Sequence, residues 1–192
     1  MTGGRTLVIL GHPDLGASRV NASLVAGLSD VETVDVRDLY ALYPHGRIDL
    51  EAERRALEAV DHIVLQYPTQ WYAPPALLKA WLDEVMTRGW AYGTGVPGVL
   101  VGKTIRIATT TGGTAEMYGP GGFHGWTMAD VLIPMRATAK RLGLVWVDPF
   151  VVHDVRGLSD EQLAGQSVAY AMLLAAPPAP APALASPAAA AA

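Results

Sequence analysis

Residues 105–125 read IRIATTTGGTAEMYGPGGFHG. The stretch opens on an apolar run, Ile105 to Ala108, of the kind that forms a buried parallel strand. It then passes through three threonines into Gly112-Gly113. Glycines at the C-terminal end of a strand let backbone N–H groups approach a ligand closely. Tyr118 follows five residues after Gly113, and His124 six residues after that. A phenol and an imidazole so spaced beyond a polar turn mark a place for acid/base chemistry. If Gly112-Gly113 and Gly121-Gly122 served only to permit a long surface loop, both side chains would be incidental. A loop this long inside a compact fold is more often functional.

Outward from this stretch the same pattern repeats. Thr6 to Leu10 (TLVIL) is a continuous apolar run and reads as a central strand, with a helix from about Ser18 to Leu28. Val31 to Val36 alternates and suggests an outer strand, and residues 40–48 look irregular. A charged amphipathic helix is expected over 50–60, a third strand over 62–66 stopped by Pro68, and a helix over 76–86 with Leu77, Leu78, Trp81, Leu82 and Val85 on one stripe. One helix is expected over 127–142, with Pro134 near a bend or first turn. A fifth strand begins at 144–147. Ser159 and Gln162 form a capping-box pair for a last helix to Leu174. Strands alternating with helices five times demand a parallel sheet covered on both faces. In the order 2-1-3-4-5, ligands bind where the first and third strands diverge. The loops at 12–21, 67–72 and 110–124 then matter most.

The first of these loops, HPDLGASRVN (12–21), lacks both the dinucleotide glycine pattern and the phosphate-loop lysine. It offers a hydroxyl, an amide, a guanidinium and a helix N-terminus, which together can hold one phosphate. Equally, Ser18 can be a plain N-cap and Asn21 a surface residue. The second, YPTQWYAPP (67–75), is stiffened by three prolines. Backbone N–H groups at 70–72 can reach the edge of a planar heterocycle, with Trp71 as a wall. Gly89-Trp90-Ala91-Tyr92-Gly93 lies between a helix and the fourth strand, as a core plug or a projection into a neighbouring subunit. His45, His62 and His153 show no metal-ligand spacing and read as structural or exposed.

The chain has 192 residues, a net charge of −4, a pI near 5.7 and no cysteine. The acidic balance argues against a nucleic-acid footprint. Without cysteine there is no thiol nucleophile or thiolate metal site, and no metal centre is expected. No leader-type segment opens the chain, so a cytoplasmic place is expected. Residues 1–174 are expected to form one domain. Residues 175–192 contain only Ala, Pro, Leu and Ser and are expected to be a disordered or polyproline-like tail.

Taken as a set, GHP at 11–13, Ser18 with Asn21, LYALYP at 39–44, QYPTQWYAPPALLKAWLDEV at 66–85, GWAYG at 89–93 and TTGG…MYGPGGFHG at 110–125 resemble the flavodoxin-like NAD(P)H:quinone oxidoreductase family, the relatives of DT-diaphorase. Within it the chain is most similar to the ancillary oxidoreductase subunit of glutathione-gated potassium efflux systems. The resemblance covers roughly residues 7–174. It implies a flavodoxin-like fold and a flavin, FMN in preference to FAD, reduced by NADH or NADPH. Two electrons would then pass as hydride to a quinone. His12, Ser18, Arg19, Val20 and Asn21 would hold the flavin's phosphate and ribityl chain. Thr69, Gln70, Trp71 and Tyr72 would hold the ring, and Thr110, Thr111, Gly112 and Gly113 its other side. Tyr118 and His124 match the family's catalytic pair. Trp71, with Trp90 and Tyr92 from the partner of a homodimer, would line the substrate slot. The resemblance also leaves two other roles open. One is regulation of a potassium efflux transporter, which would place the protein at the inner face of the membrane. The other is FMN-dependent azo reduction.

Overall fold

Thr6–Leu10 forms the first strand, β1, and all five residues are buried. A strand covered on both faces has no polar side to present, which is why its sequence runs apolar without alternation. The computed structural model describes residues 4–93 and 98–176. The expected tail lies outside the described residues, apart from Ala175 and Ala176.

Around β1 the chain lays β2 (Val34–Asp38), β3 (His62–Pro68) and β4 (Thr104–Thr110), each parallel to its neighbour. The order is β2-β1-β3-β4-β5, as expected. The fifth position is filled in two pieces. β5 (Val145–Trp146) pairs with Thr104–Ile105, and β6 (Phe150–Val152) pairs with Ala108–Thr110. One continuous strand was expected there. Pro149 has no N–H to give to the ladder, and the Asp148 carbonyl accepts from the Arg106 guanidinium instead. β3 also outruns its expected stop. Pro68 is its last residue, opposite Thr110, where no further donor is needed because Thr69 N–H reaches the Thr110 carbonyl at 2.9 Å.

Seven helices cover the sheet among the described residues: α1 (Arg19–Ala26), α2 (Leu39–Leu42), α3 (Leu50–Glu58), α4 (Ala76–Val85), α5 (Met128–Val131), α6 (Ile133–Leu142) and α7 (Asp160–Ala175). α2 occupies a segment expected to be irregular; the Asp38 carboxylate accepts from Tyr40 and Ala41 N–H and starts it. The single helix expected over 127–142 is two, α5 and α6. Thr127 and Asp130 form a capping box on α5. Pro134 sits in the first turn of α6, where its missing N–H costs nothing. The Ser159–Gln162 capping box opens α7 as expected.

Alternate strand residues face opposite layers. Leu7, Ile9, Ile63, Leu65, Ile105 and Ile107 pack with Leu57, Leu78, Trp81, Leu82 and Met135 from α3, α4 and α6. Val8, Val64, Ala108 and Val152 pack with Val20, Leu24, Leu163, Tyr170 and Leu174 from α1 and α7. Because every strand is parallel, all C-terminal strand ends open on one edge. The loops at 11–18, 69–75, 111–127 and 153–159 gather there.

Candidate flavin and substrate site

The first loop is built for close approach. A Cβ on Gly11 would lie 2.8 Å from Cβ of Leu78, so only glycine lets α4 pack against this turn. His12 Nδ1 accepts from Asp14 N–H at 3.1 Å, and Asp14 Oδ1 accepts from Ala17 N–H at 3.1 Å. Ser18 is the N-cap of α1: its Oγ accepts from Asn21 N–H at 3.2 Å and keeps its own proton to give. The result is a cleft of about 440 Å³ at the N-terminus of α1. His12, Ser18, Asn21, Gln70, Thr110, Val155 and Arg156 are among its lining residues.

Two side chains expected to hold a phosphate line the cleft and also tie the fold together. The Arg19 guanidinium donates to the Leu158 carbonyl at 2.8 Å and to Asp160 Oδ1 at 2.6 Å, pinning α1 to the start of α7. Asn21 is no surface residue; it is 2% exposed. Its Nδ2 donates to Thr110 Oγ1 at 3.1 Å, and its Oδ1 accepts from Gln66 Nε2, whose amide oxygen takes the Tyr170 hydroxyl at 3.0 Å. This buried chain ties α1, β3, β4 and α7 together, since a buried amide left unpaired is costly. The Val20 side chain is buried in the core, so Val20 offers the cleft only its backbone. Besides Arg19, a second exposed cation lines the cleft: Arg156, in the segment after β6. Sequence reasoning passed it over, because the break before β6 hid that residues 153–157 also sit at a strand end.

The second loop is a strained two-residue turn. Gln70 and Ala73 exchange both backbone bonds, at 2.9 and 3.0 Å, around Trp71 (φ 47°) and Tyr72 (φ 63°). Positive φ at both central positions is the type I′ pattern normally filled by Asn and Gly. Holding bulky aromatics there costs about 1 kcal/mol or more each. The turn leaves Trp71 94% exposed. Such strain at a strand end points to a site. The Thr69 hydroxyl is 2.8 Å from that of Thr109, which fixes the turn to β4.

The third loop folds back over its own glycines. Tyr118 and His124 stack, ring centroids 4.3 Å apart and planes at 25°. His124 Nδ1 is 3.1 Å from the Tyr72 hydroxyl, linking the third loop to the second. A Cβ on Gly113 would come within 3.0 Å of His124 Nε2 and 3.3 Å of the Tyr118 ring, so the bare glycine makes room for the stack. At Gly112 a Cβ would meet open space. Thr110 and Thr111 are buried. Beyond His124 a second cavity of about 440 Å³ is lined by Tyr72, His124, Trp126, Asp130, Val131 and Ile133. Trp126 and Ile133 are exposed there.

Charge is tuned by burial. Burial lowers the His12 imidazole below its ordinary value, although Asp14 and Asp38 pull the other way. It raises the Tyr118 phenol, with the Thr111 hydroxyl opposing, so Tyr118 is a proton donor at neutral pH. Burial likewise lowers His153, which stands 3.0 Å from Thr111 Oγ1. Read from sequence as structural or exposed, His153 stands instead beside this loop.

Trp90 and Tyr92 are not brought to this cleft. Trp90 Nε1 donates to Glu58 at the C-terminal end of α3, and Arg54 lies over its ring at 5.2 Å. Arg141, at the end of α6, lies over Tyr92 at 4.6 Å. Both aromatics therefore sit at the N-terminal edge of the sheet, away from the cleft of their own chain. Among the described residues there is no cluster of His, Asp or Glu able to hold a metal, and no helix long and apolar enough to cross a membrane.

Three solved structures share this architecture. General stress protein 14 of Treponema denticola, in complex with FMN, is 36% identical with a TM-score of 0.84, covering 88% of this chain and 97% of its own. A protein described as a thermophilic tryptophan halogenase from Streptomycin violaceusniger is also 36% identical, with a TM-score of 0.83 over 85% and 95%. An NADPH-quinone reductase from P. pentosaceus is 28% identical, with a TM-score of 0.81 over 88% and 97%. Residues 4–173 match the family model for the flavodoxin-like fold, and the chain belongs to that family.

Proposed function

We propose that this protein is an FMN-dependent NAD(P)H:quinone oxidoreductase. The observation that carries the reading is the convergence of three loops on one strand edge. One offers a helix N-terminus with Ser18, one a strained turn with free-facing aromatics, and one a Tyr–His stack seated on glycine. The residues present fit a flavin mononucleotide. The cleft at the start of α1 offers Ser18 and Arg156 to a single phosphate, and helix N-termini favour anions. The Asn21–Gln66–Tyr170 chain holds the floor of that cleft without spending a ligand group. The T. denticola relative contains FMN, and the P. pentosaceus relative is named for quinone reduction.

When bound, FMN supplies the chemistry of accepting hydride from a nicotinamide and passing it on. The chain's part is to bind, orient and stabilise charge. The Tyr118 and His124 rings stack with centroids 4.3 Å apart, and the Tyr118 hydroxyl, protonated at neutral pH, and the imidazole can stabilise negative charge where it develops. The Tyr72 hydroxyl holds His124 through Nδ1. Trp126, Ile133 and Tyr72 wall the adjoining cavity with apolar surface suited to a flat, uncharged acceptor. Trp90 and Tyr92, remote from their own cleft, serve the other subunit's slot in a two-fold homodimer.

The test is anaerobic stopped flow on FMN-loaded protein. NADH or NADPH should bleach the flavin absorbance, and a benzoquinone should restore it in a two-electron step. Flavin that is bound but reduced by neither nicotinamide would reduce the protein to a flavin carrier.

A further inference from the structure

We infer that the cavity beyond His124 sorts acceptors by charge through Asp130: flat rings that are neutral or cationic are favoured, and rings bearing a sulfonate or carboxylate are disfavoured. The inference rests on the proposed reading of that cavity as the acceptor's slot and narrows its substrate class.

The make-up of the cavity carries it. Tyr72, Trp126, Val131 and Ile133 supply its apolar surface. Asp130 is the one carboxylate among its described lining residues, and no lysine or arginine is among them. Arg136, one turn beyond Ile133, lines a different hollow, with Lys140 and Trp146. Among the described residues no cation lies within ion-pair distance of Asp130. The Tyr72 hydroxyl and His124 Nδ1 are taken up with one another at 3.1 Å. A flat ring in this cavity therefore meets one carboxylate, with no lysine or arginine to balance it.

That carboxylate is also fixed in place. The Thr127 N–H and hydroxyl both donate to Asp130 Oδ2, at 2.9 and 2.6 Å, and Asp130 N–H donates back to Thr127 Oγ1 at 3.1 Å. These bonds cap α5 and hold the side chain where it stands. Both fall on Oδ2, so Oδ1 has no protein partner among the described residues. Donors from Thr127 favour the ionised form and keep the carboxyl below its ordinary range, so the charge persists around neutral pH. An unpaired charge facing the wrong ligand is the repulsive element that specificity needs. One unit charge at about 5 Å in water changes an equilibrium roughly fourfold. A neutral quinone is thereby favoured over a sulfonated azo dye.

The experiment pairs a methylated naphthoquinone with the same ring bearing a sulfonate. In oxidised protein, with FMN and without it, NMR titration reads the Trp126 indole N–H and the Ile133 methyl signals. Both should shift with the neutral ring. The sulfonate should bind more weakly. Asp130→Asn, whose amide oxygen can still accept from Thr127, should raise the sulfonate's affinity relative to the neutral ring roughly fourfold. In FMN-loaded protein reduced with dithionite, the ratio of reoxidation rates, sulfonate over neutral, should rise by a similar factor in that variant. Added salt should raise the same ratio in the unmodified protein and leave it unmoved in the variant, because salt screens an exposed charge. The inference is overturned by a ratio that neither substitution nor salt changes, as a role in the α5 cap alone would give. It is equally overturned if the signals of Trp126 and Ile133 shift in neither form. Failure of NADH and NADPH to reduce the flavin would bear on the enzyme reading alone, since neither readout uses them.

Discussion

The two edges of the sheet use the same kinds of residue for opposite ends. At the C-terminal edge, aromatics are exposed and the backbone is strained. Trp71, Tyr72 and Asp154 are the non-glycine residues with positive φ among those described, and all three stand there. At the N-terminal edge, aromatics and cations are consumed in closing the molecule. Arg54 covers Trp90, Arg141 covers Tyr92, Lys103 donates to the carbonyls of Glu58 and Val60, and His62 pairs with Thr104 at 2.8 Å. The contrast teaches where to look for function: strain persists only where the surrounding structure holds it for a purpose.

The largest expected effect is at the strained edge. His124→Ala and Tyr118→Phe should each slow flavin reduction by about 10²-fold, or about 2.7 kcal/mol, while FMN still binds. Stopped flow with a parallel FMN titration checks this. If both variants reduce flavin at the unmodified rate, the stack is structural.

At the other edge, Trp90→Phe removes one hydrogen bond to Glu58 and should cost about 1 kcal/mol of stability in denaturant unfolding. On the shared-site proposal, KM for both substrates also rises while FMN affinity holds. Unchanged kinetics would leave Trp90 as a core plug and make the two edges independent.

Trp71→Gly sharpens the comparison further. The side chain packs against almost nothing, so relief of its strained φ should raise stability by about 1 kcal/mol, while FMN binding weakens. A fall in both would mean that the indole is part of the fold.

The smallest expected effect is in pH dependence. Burial lowers the folded pKa of His12, His62 and His153 below the unfolded 6.5. The unfolded chain then binds more protons below that value. Stability is therefore full above pH 6.5 and declines as pH falls through 6.5 toward the lowered folded values. His62 is the most buried of the three, so His62→Gln should flatten the slope of Tm between pH 7 and 5 most. An unchanged slope would place the titrating group at the strained edge.

Much of this was legible in sequence because it is local. Continuous apolar runs mark β1, β3 and β4, glycine and proline mark the three loops, and the i to i+3 spacing of Ser159 and Gln162 marks the start of α7. What was hidden depends on partners far along the chain. Asn21 looks like a surface amide until Thr110, 89 residues on, buries it. Arg19 reads as a free cation at the cleft, but its guanidinium also donates to Asp160, 141 residues on. His153 and Arg156 reach the site only because β6 breaks from β5 and realigns on β4. The Trp71–Tyr72 turn was invisible because neither residue is the Asn or Gly that such a turn prefers.

The central claim is that the strained edge holds FMN. The visible spectrum of the purified protein, followed by chromatography of the flavin released on denaturation, tests it most directly. The account predicts a yellow protein that releases stoichiometric FMN. FAD released in its place would overturn the choice of cofactor, and a colourless protein that takes up neither FMN nor FAD would contradict the account as a whole.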